Sequence, residues 1–182
     1  MRYFKKIVGE RLYLSPINKD DYVIYTKWIN DIEVSENLGN YSQMVSLPME
    51  QKFLEELSTK GHNYAIVLND GDELIGNISF MDIDNVNRSA MIGLFIGEKE
   101  NRNNGYGSEA LSLLLDYGFK TLNLHNVMLS VHSDNDRAIA CYKKVGFREV
   151  GRRREAKYKN GRYVDVVYMD VLSGEFCSGR SL

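Results

Sequence analysis

Cysteine is scarce in this chain: Cys141 and Cys177 are the only two in 182 residues, too few and too far apart for a disulfide framework. Three scattered histidines add no metal-ligand spacing, so free thiols and no structural zinc or other metal are expected. Proline is equally rare, at two residues, and no low-complexity tract occurs, which excludes a Pro-rich linker and a chain disordered beyond its ends. Long apolar runs are missing as well. No segment approaches the roughly 18 apolar residues of a membrane span, and the basic start Met1–Lys6 lacks the apolar core of a secretion signal. The expected location is therefore the cytoplasm, with no membrane partner. Nor is there an excess of positive charge. With 23 basic and 25 acidic residues the net charge is -2, which argues against nucleic acid as a partner. The run Arg152-Arg153-Arg154 is the local exception, and reads as a solvated turn or strand edge or as a contact for an anionic ligand.

What is present is the ordinary make-up of a globular protein, 43% hydrophobic and 26% charged, over a length suited to one domain spanning 1–182. The small, polar tail 173–182 is expected to be flexible. Arg11–Leu14 reads as a strand ended by Pro16, and Asp20 or Asp21 caps a helix running to about Trp28. The stretch 31–46 has no clear period. Pro48–Ser58 has Phe53, Leu54 and Leu57 at helical spacing behind an N-terminal proline. Strands are expected at 64–68, 74–81 and 89–96, an antiparallel meander with turns at 69–72 and 82–87. A helix over 106–121, a strand over 127–131, a helix over 135–145 ending at Gly146, and a hairpin of 147–150 with 163–172 complete the reading.

Strand 89–96, helix 106–121 and strand 127–131 make a strand-helix-strand unit whose crossover is right-handed, leaving its strands parallel. The loops after them, Gly97–Gly105 and His132–Asp134, then emerge at one edge of the sheet, where such sheets bind ligands. The first loop ends Arg102-Asn103-Asn104-Gly105-Tyr106-Gly107 just before a helix. Small residues there let a ligand approach the backbone, unpaired N–H groups point outward, and Arg102 offers a charged fork, all of which suits a phosphate. The alternative is a helix start softened by glycine. On the second helix Asn135, Ala138, Tyr142 and Val145 share a face; a tyrosine so placed is either core or an acid. Gly105-x-Gly107-x-x-Ala110 also fits a dinucleotide fingerprint, with Asp134 as the ribose-binding acid. The nine residues 97–105, where a tight turn is required, weigh against it. No Gly-x-x-x-x-Gly-Lys-(Ser or Thr) occurs, and no histidine pairs with Cys141 in sequence.

The segment Arg102-Asn-Asn-Gly105-Tyr-Gly107 resembles the (Gln or Arg)-x-x-Gly-x-(Gly or Ala) cofactor loop of the GNAT superfamily of N-acetyltransferases. Asn135-Asp-Arg-Ala138-Ile-Ala-Cys-Tyr142-Lys-Lys-Val-Gly146-Phe147 resembles that superfamily's Asn-x-x-Ala-x-x-x-Tyr-x-Lys-x-Gly-Phe segment. Arg11-Leu-Tyr-Leu-Ser-Pro16 and Trp28-Ile-Asn30-Asp31 look like the opening of the branch holding ribosomal-protein N-terminal and polyamine acetyltransferases.

The resemblance implies an α+β fold with a mostly antiparallel sheet of about seven strands, one splayed parallel pair and about four helices. It implies acetyl-CoA as co-substrate and no metal. The backbone of Leu94, Phe95 and Ile96 would pair with pantetheine, the amides of Arg102, Asn103, Asn104, Gly105, Tyr106 and Gly107, with Ser108, would hold the pyrophosphate, and Asn135 would contact the cofactor arm. Tyr142 would be the acid toward the leaving thiolate, since a tyrosine with an ordinary pKa of about 10 stays protonated at neutral pH. Where relatives carry a carboxylate before the cofactor loop this chain has Met91, so the base is open; Asp82 or Asp84 could serve through water, Asp82 being the candidate, or both are simply turn residues. Glu33, Glu36 and Asp84, with Asp31 and Asp82, would form an acidic wall attracting a polycation, or are simply solvated helix and turn residues. The acceptor would be a primary amine: a polyamine, a protein N-terminus or another small amine. A homodimer follows by analogy. The competing readings are a noncatalytic acetyl-CoA sensor and a dinucleotide-binding oxidoreductase.

Overall fold

A computed structural model describes residues 2–39 and 42–176. In chain order its elements are β1 (Ile7–Val8), β2 (Leu12–Pro16), a 3-10 turn (Lys19–Asp21), α1 (Tyr22–Asn30), α2 (Ile32–Leu38) and α3 (Leu47–Thr59). There follow β3 (Asn63–Leu68), β4 (Leu74–Asp84), β5 (Ser89–Ile96), a 3-10 turn (Lys99–Asn101), α4 (Tyr106–Lys120), β6 (Asn126–His132), α5 (Asp136–Val145), β7 (Arg148–Lys159) and β8 (Arg162–Leu172). The strands form one eight-stranded sheet in the order β1-β2-β3-β4-β5-β6-β8-β7. Its one parallel pair among the described residues is β5 with β6, in the register Ser89↔Asn126 to Met91↔Met128. The mixed α+β architecture is the expected one. The two-residue β1 and the helix α2 raise the counts from about seven strands and four helices to eight and five.

The helix α2 lies in the stretch that showed no period. Its seven residues are too few for one, and what holds it is local: the Asp31 carboxylate accepts from the Glu33 N–H, and Gly39 closes it at φ +79°. β7 runs nine residues past its expected end at Val150. Nearly all of it is exposed on both faces, so no alternation marked it, and irregular register at 149/151 and 153/157 interrupts the ladder to β8.

Contacts divide the chain into two compact units, Met1–Ser79 with Leu94–Ala110, and Phe80–Gly93 with Leu111–Leu182. The first has a core of Tyr13, Tyr25, Trp28, Leu54, Ala65 and Val67. Within it Gly76 is pressed against β5, since a Cβ there would stand 2.1 Å from the Phe95 carbonyl oxygen. Gly97 lies on the Trp28 indole, with Phe95 edge-on and Tyr25 tilted against that ring.

In the second unit β6 pairs with β8 along its whole length, from Asn126↔Leu172 to His132↔Val166. Val127, Leu129, Val167, Met169 and Val171 are buried there. The start of the tail is tied down: Ser173 N–H donates to His125 O, Phe176 packs on Phe119, and Arg148 pairs with Glu175. Cys177 and the rest of the tail lie outside the described residues.

Candidate functional site

In the first unit, the loop between β5 and α4 is set by backbone geometry. Asn103 at φ +64° and Gly105 at φ +81° flank Asn104, an alternation that turns successive N–H groups toward one side. Glu109 is the first residue to donate into α4, to Gly105 O at 3.0 Å. The amides of Asn103 to Gly107 have no backbone acceptor among the described residues, as the opening turn of a helix requires. These open donors, the positive end of a fifteen-residue helix and partial exposure make an anion cradle.

Arg102 does not face that cradle. Its side chain is 5% exposed, its Nη2 donates to Gly97 O at 2.6 Å, and its Nη1 meets Glu33 Oε2 at 3.0 Å. Its own amide is spent on Lys99 O at 3.1 Å. The charged fork expected for phosphate thus points inward and pins the loop to the end of β5 and to α2. Glu33 is committed in the same way. Lys99 and Arg102 both hold its carboxylate, which keeps it below the usual carboxylate range, so it is half of an ion-pair network rather than part of a bare acidic wall. Glu98 accepts from Lys27 Nζ at 2.6 Å and from the Trp28 indole N–H at 2.9 Å, fixing the start of the loop on α1.

The cation that does lie at the cradle went unnoticed in the sequence. Arg11, ahead of β2, donates its backbone N–H and its Nε to the Glu109 carboxylate, each at 2.8 Å. Its Nη1 donates to Asn104 O at 2.8 Å, and its guanidinium lies 5.0 Å above the Tyr106 ring. Ser108 is buried in the first turn of α4. Leu94, Phe95 and Ile96 complete β5 beyond Met91, its last registered rung to β6.

In the second unit, Asn135 caps α5: its Oδ1 accepts from the Ala138 N–H at 3.1 Å, and its own N–H donates to His132 O at 3.0 Å. Tyr142 lies two turns along, half-buried against Phe147, with ring centroids 6.0 Å apart. Burial pushes its hydroxyl up to about 12, so it remains a proton-bearing donor throughout the physiological range. Its hydroxyl has no hydrogen-bond partner among the described residues. Cys141, beside it, forms no disulfide among the described residues.

At the end of β6, His132 is buried and its Nδ1 lacks a partner among the described residues. Burial, then Lys159 and Lys157, lower its pKa against the opposing pull of Asp134, so the ring is neutral at pH 7. Asp134 bridges Lys159 and Arg162, both at 3.3 Å. This is an ion-pair cluster.

The two aspartates of β4 differ from each other. Asp82 is exposed at φ +50°, and its carboxylate has no hydrogen bond among the described residues, which leaves its role as a base resting on position alone. Asp84 accepts from the Val86 and Asn87 N–H groups at 2.8 Å and from Asn87 Nδ2 at 2.7 Å, bonds that hold its pKa down. It builds the turn into β5. Glu36 is part-buried in α2.

The family model of the acetyltransferase (GNAT) domain matches residues 11–148. The spermidine N(1)-acetyltransferase of Vibrio cholerae is 33% identical over 129 residues, 65% of this chain and 74% of that protein. The uncharacterized N-acetyltransferase p20 of Bacillus licheniformis is 29% identical over 144 residues, 77% of this chain and 80% of that protein. A crystal structure of spermidine N-acetyltransferase from Vibrio cholerae, in complex with CoA and spermine, superposes with a TM-score of 0.81 at 26% identity, covering 92% of this chain and 98% of that one. The chain belongs to the GNAT acetyltransferase family and is an acyl-CoA-dependent N-acetyltransferase. No described helix is long and apolar enough to cross a membrane.

Proposed function

We propose that the chain transfers an acetyl group from acetyl-CoA to a small primary amine, by direct attack within a ternary complex. The observation that carries this reading is the run of amides from Asn103 to Gly107 at the start of α4, without a backbone acceptor among the described residues and shaped by left-handed residues at 103 and 105. The diphosphate of the donor rests there. The backbone of Leu94 to Ile96 receives the pantetheine arm as an added strand, and Asn135 orients that arm.

The amine arrives mostly as ammonium, with a lysine-like pKa of about 10.4, and must lose a proton before its lone pair forms the C–N bond. The C–S bond then breaks and the sulfur leaves with the electron pair. Acetyl thioester and ammonium become amide, thiol and one released proton. Because Tyr142 is held at about 12, outright transfer of its proton to a thiolate of ordinary basicity is strongly uphill. Tyr142 therefore acts as a hydrogen-bond donor that stabilises negative charge growing on sulfur, and the proton lost by the amine balances the thiol. Asp82 relays that first proton through water.

For the acceptor, the likeness to a spermidine acetyltransferase makes a polyamine the first choice, although Glu33 is already paired and Asp84 is a turn residue. The test is thiol release from acetyl-CoA with spermidine, an N-terminal peptide and an aminoglycoside as acceptors. Spermidine is expected to turn over fastest. Release with the peptide alone would reassign the acceptor, and no release with any amine would favour a noncatalytic acetyl-CoA sensor.

A further inference from the structure

Once Arg102 is turned inward, the cradle at the start of α4 has lost the cation the sequence supplied, while a carboxylate, Glu109, remains in its first helical turn. A bare carboxylate there opposes an anionic ligand at short range. Arg11 removes that opposition, since its backbone N–H and its Nε each take one oxygen of Glu109. The same guanidinium holds the loop itself through Nη1 on Asn104 O. Two of its three nitrogens are thus accounted for. The third, Nη2, has no hydrogen-bond partner among the described residues and lies beside Gly105, 3.3 Å from where a Cβ would stand. The side chain is 43% exposed, against 8% for Glu109, so the free end of the fork faces outward while its base is anchored.

We infer that Arg11, not Arg102, is the charged contact for the phosphates of the acyl carrier, presenting Nη2 beside the open amides of Asn103 to Gly107. This rests on the donor-binding reading above and adds to it a residue from the start of β2, more than ninety positions from the loop. The arrangement is pre-organised. Glu109, Asn104 and the Tyr106 ring fix the guanidinium before any ligand arrives, so little rotamer entropy is lost on binding. A charge-assisted contact of this kind, removed, weakens binding about 10- to 100-fold. A ligand without phosphates is indifferent to it.

The experiment titrates full-length wild type, Arg11→Gln and Arg11→Lys with coenzyme A and with pantetheine, following fluorescence of the single tryptophan. Expected are a 10- to 100-fold weaker coenzyme A affinity in Arg11→Gln, partial recovery in Arg11→Lys, and pantetheine affinity unchanged within about twofold. Equal losses for both ligands in Arg11→Gln, or an undiminished coenzyme A affinity, would overturn the inference. Wild type that binds pantetheine but gains nothing from the phosphates would overturn it too. Wild type that binds neither ligand would instead remove the donor-binding reading on which the inference rests.

Discussion

Replacing Gly97 by alanine tests how tightly the end of β5 is clamped. An added Cβ would lie 2.1 Å from Trp28 Cε2, 2.2 Å from Cδ2 and 2.5 Å from Nε1, whereas unstrained carbon contacts begin at about 3.5 Å. Either the strand end or the ring must shift by about 1.4 Å. The ring is 1% exposed, has Tyr25 and Phe95 at centroid distances of 5.3 and 6.0 Å, and gives its N–H to Glu98 at 2.9 Å. Overpacking of a filled site costs about 1–3 kcal/mol, and a displaced indole adds about 1 kcal/mol for its hydrogen bond. A loss of about 3 kcal/mol is expected. At about 2–4 °C per kcal/mol for a chain of this length, the melting temperature drops by about 6–12 °C. Trp28 is the only tryptophan, so urea and thermal unfolding followed by its emission read the clamp directly, and the folded variant's emission should shift to the red. Melting within about 2 °C of wild type with unchanged emission would refute the packing argument.

Gly105→Ala places a side chain at φ +81°, and a loss of about 1 kcal/mol, with weaker coenzyme A binding, is expected from chemical denaturation and titration. Equal stability would mean that the loop is not held left-handed there. Tyr142→Phe is expected to lower kcat by about 100-fold or more while the coenzyme A affinity stays as in wild type; an unchanged kcat removes Tyr142 from the chemistry. On pH the sign is definite. Since burial holds Tyr142 at about 12, its donor form persists on the alkaline side, and kcat/KM should climb as the amine deprotonates, with no fall near pH 10. A decline centred there would show a tyrosine of ordinary acidity.

The parts of the fold legible in the sequence were those written in local signals. Gly146 ends α5 as expected because a left-handed terminator is a single-residue signal, and Asn135, expected as the first residue of that helix, is its cap. The parallel pair followed from strand-helix-strand order. α2 was missed although Asp31 and Gly39 bracket it, because seven residues carry too little period to outweigh a polar stretch. β7 was cut short at Gly151 and the arginine run because a strand exposed on both faces has no alternation to read. At the site, backbone openness at 103–107 could be anticipated from small residues before a helix. That Arg102 turns inward while Arg11 lies beside the loop could not. Whether an arginine faces a ligand or a carbonyl depends on partners many residues away, such as Glu33 for one and Glu109 for the other, and no local spacing encodes them.

Binding of the acetyl donor is the point on which everything else depends, and thermal unfolding with and without ligand reads it most directly. A ligand specific for the folded state at 100 times its Kd adds about 2.7 kcal/mol, which for this length raises the melting temperature by about 5–11 °C. Coenzyme A is expected to give that rise and NAD none. The opposite pattern, stabilisation by NAD and indifference to coenzyme A, would mean that the cradle at Asn103 to Gly107 holds a different phosphate and that the acetyl-transfer mechanism is wrong for this chain.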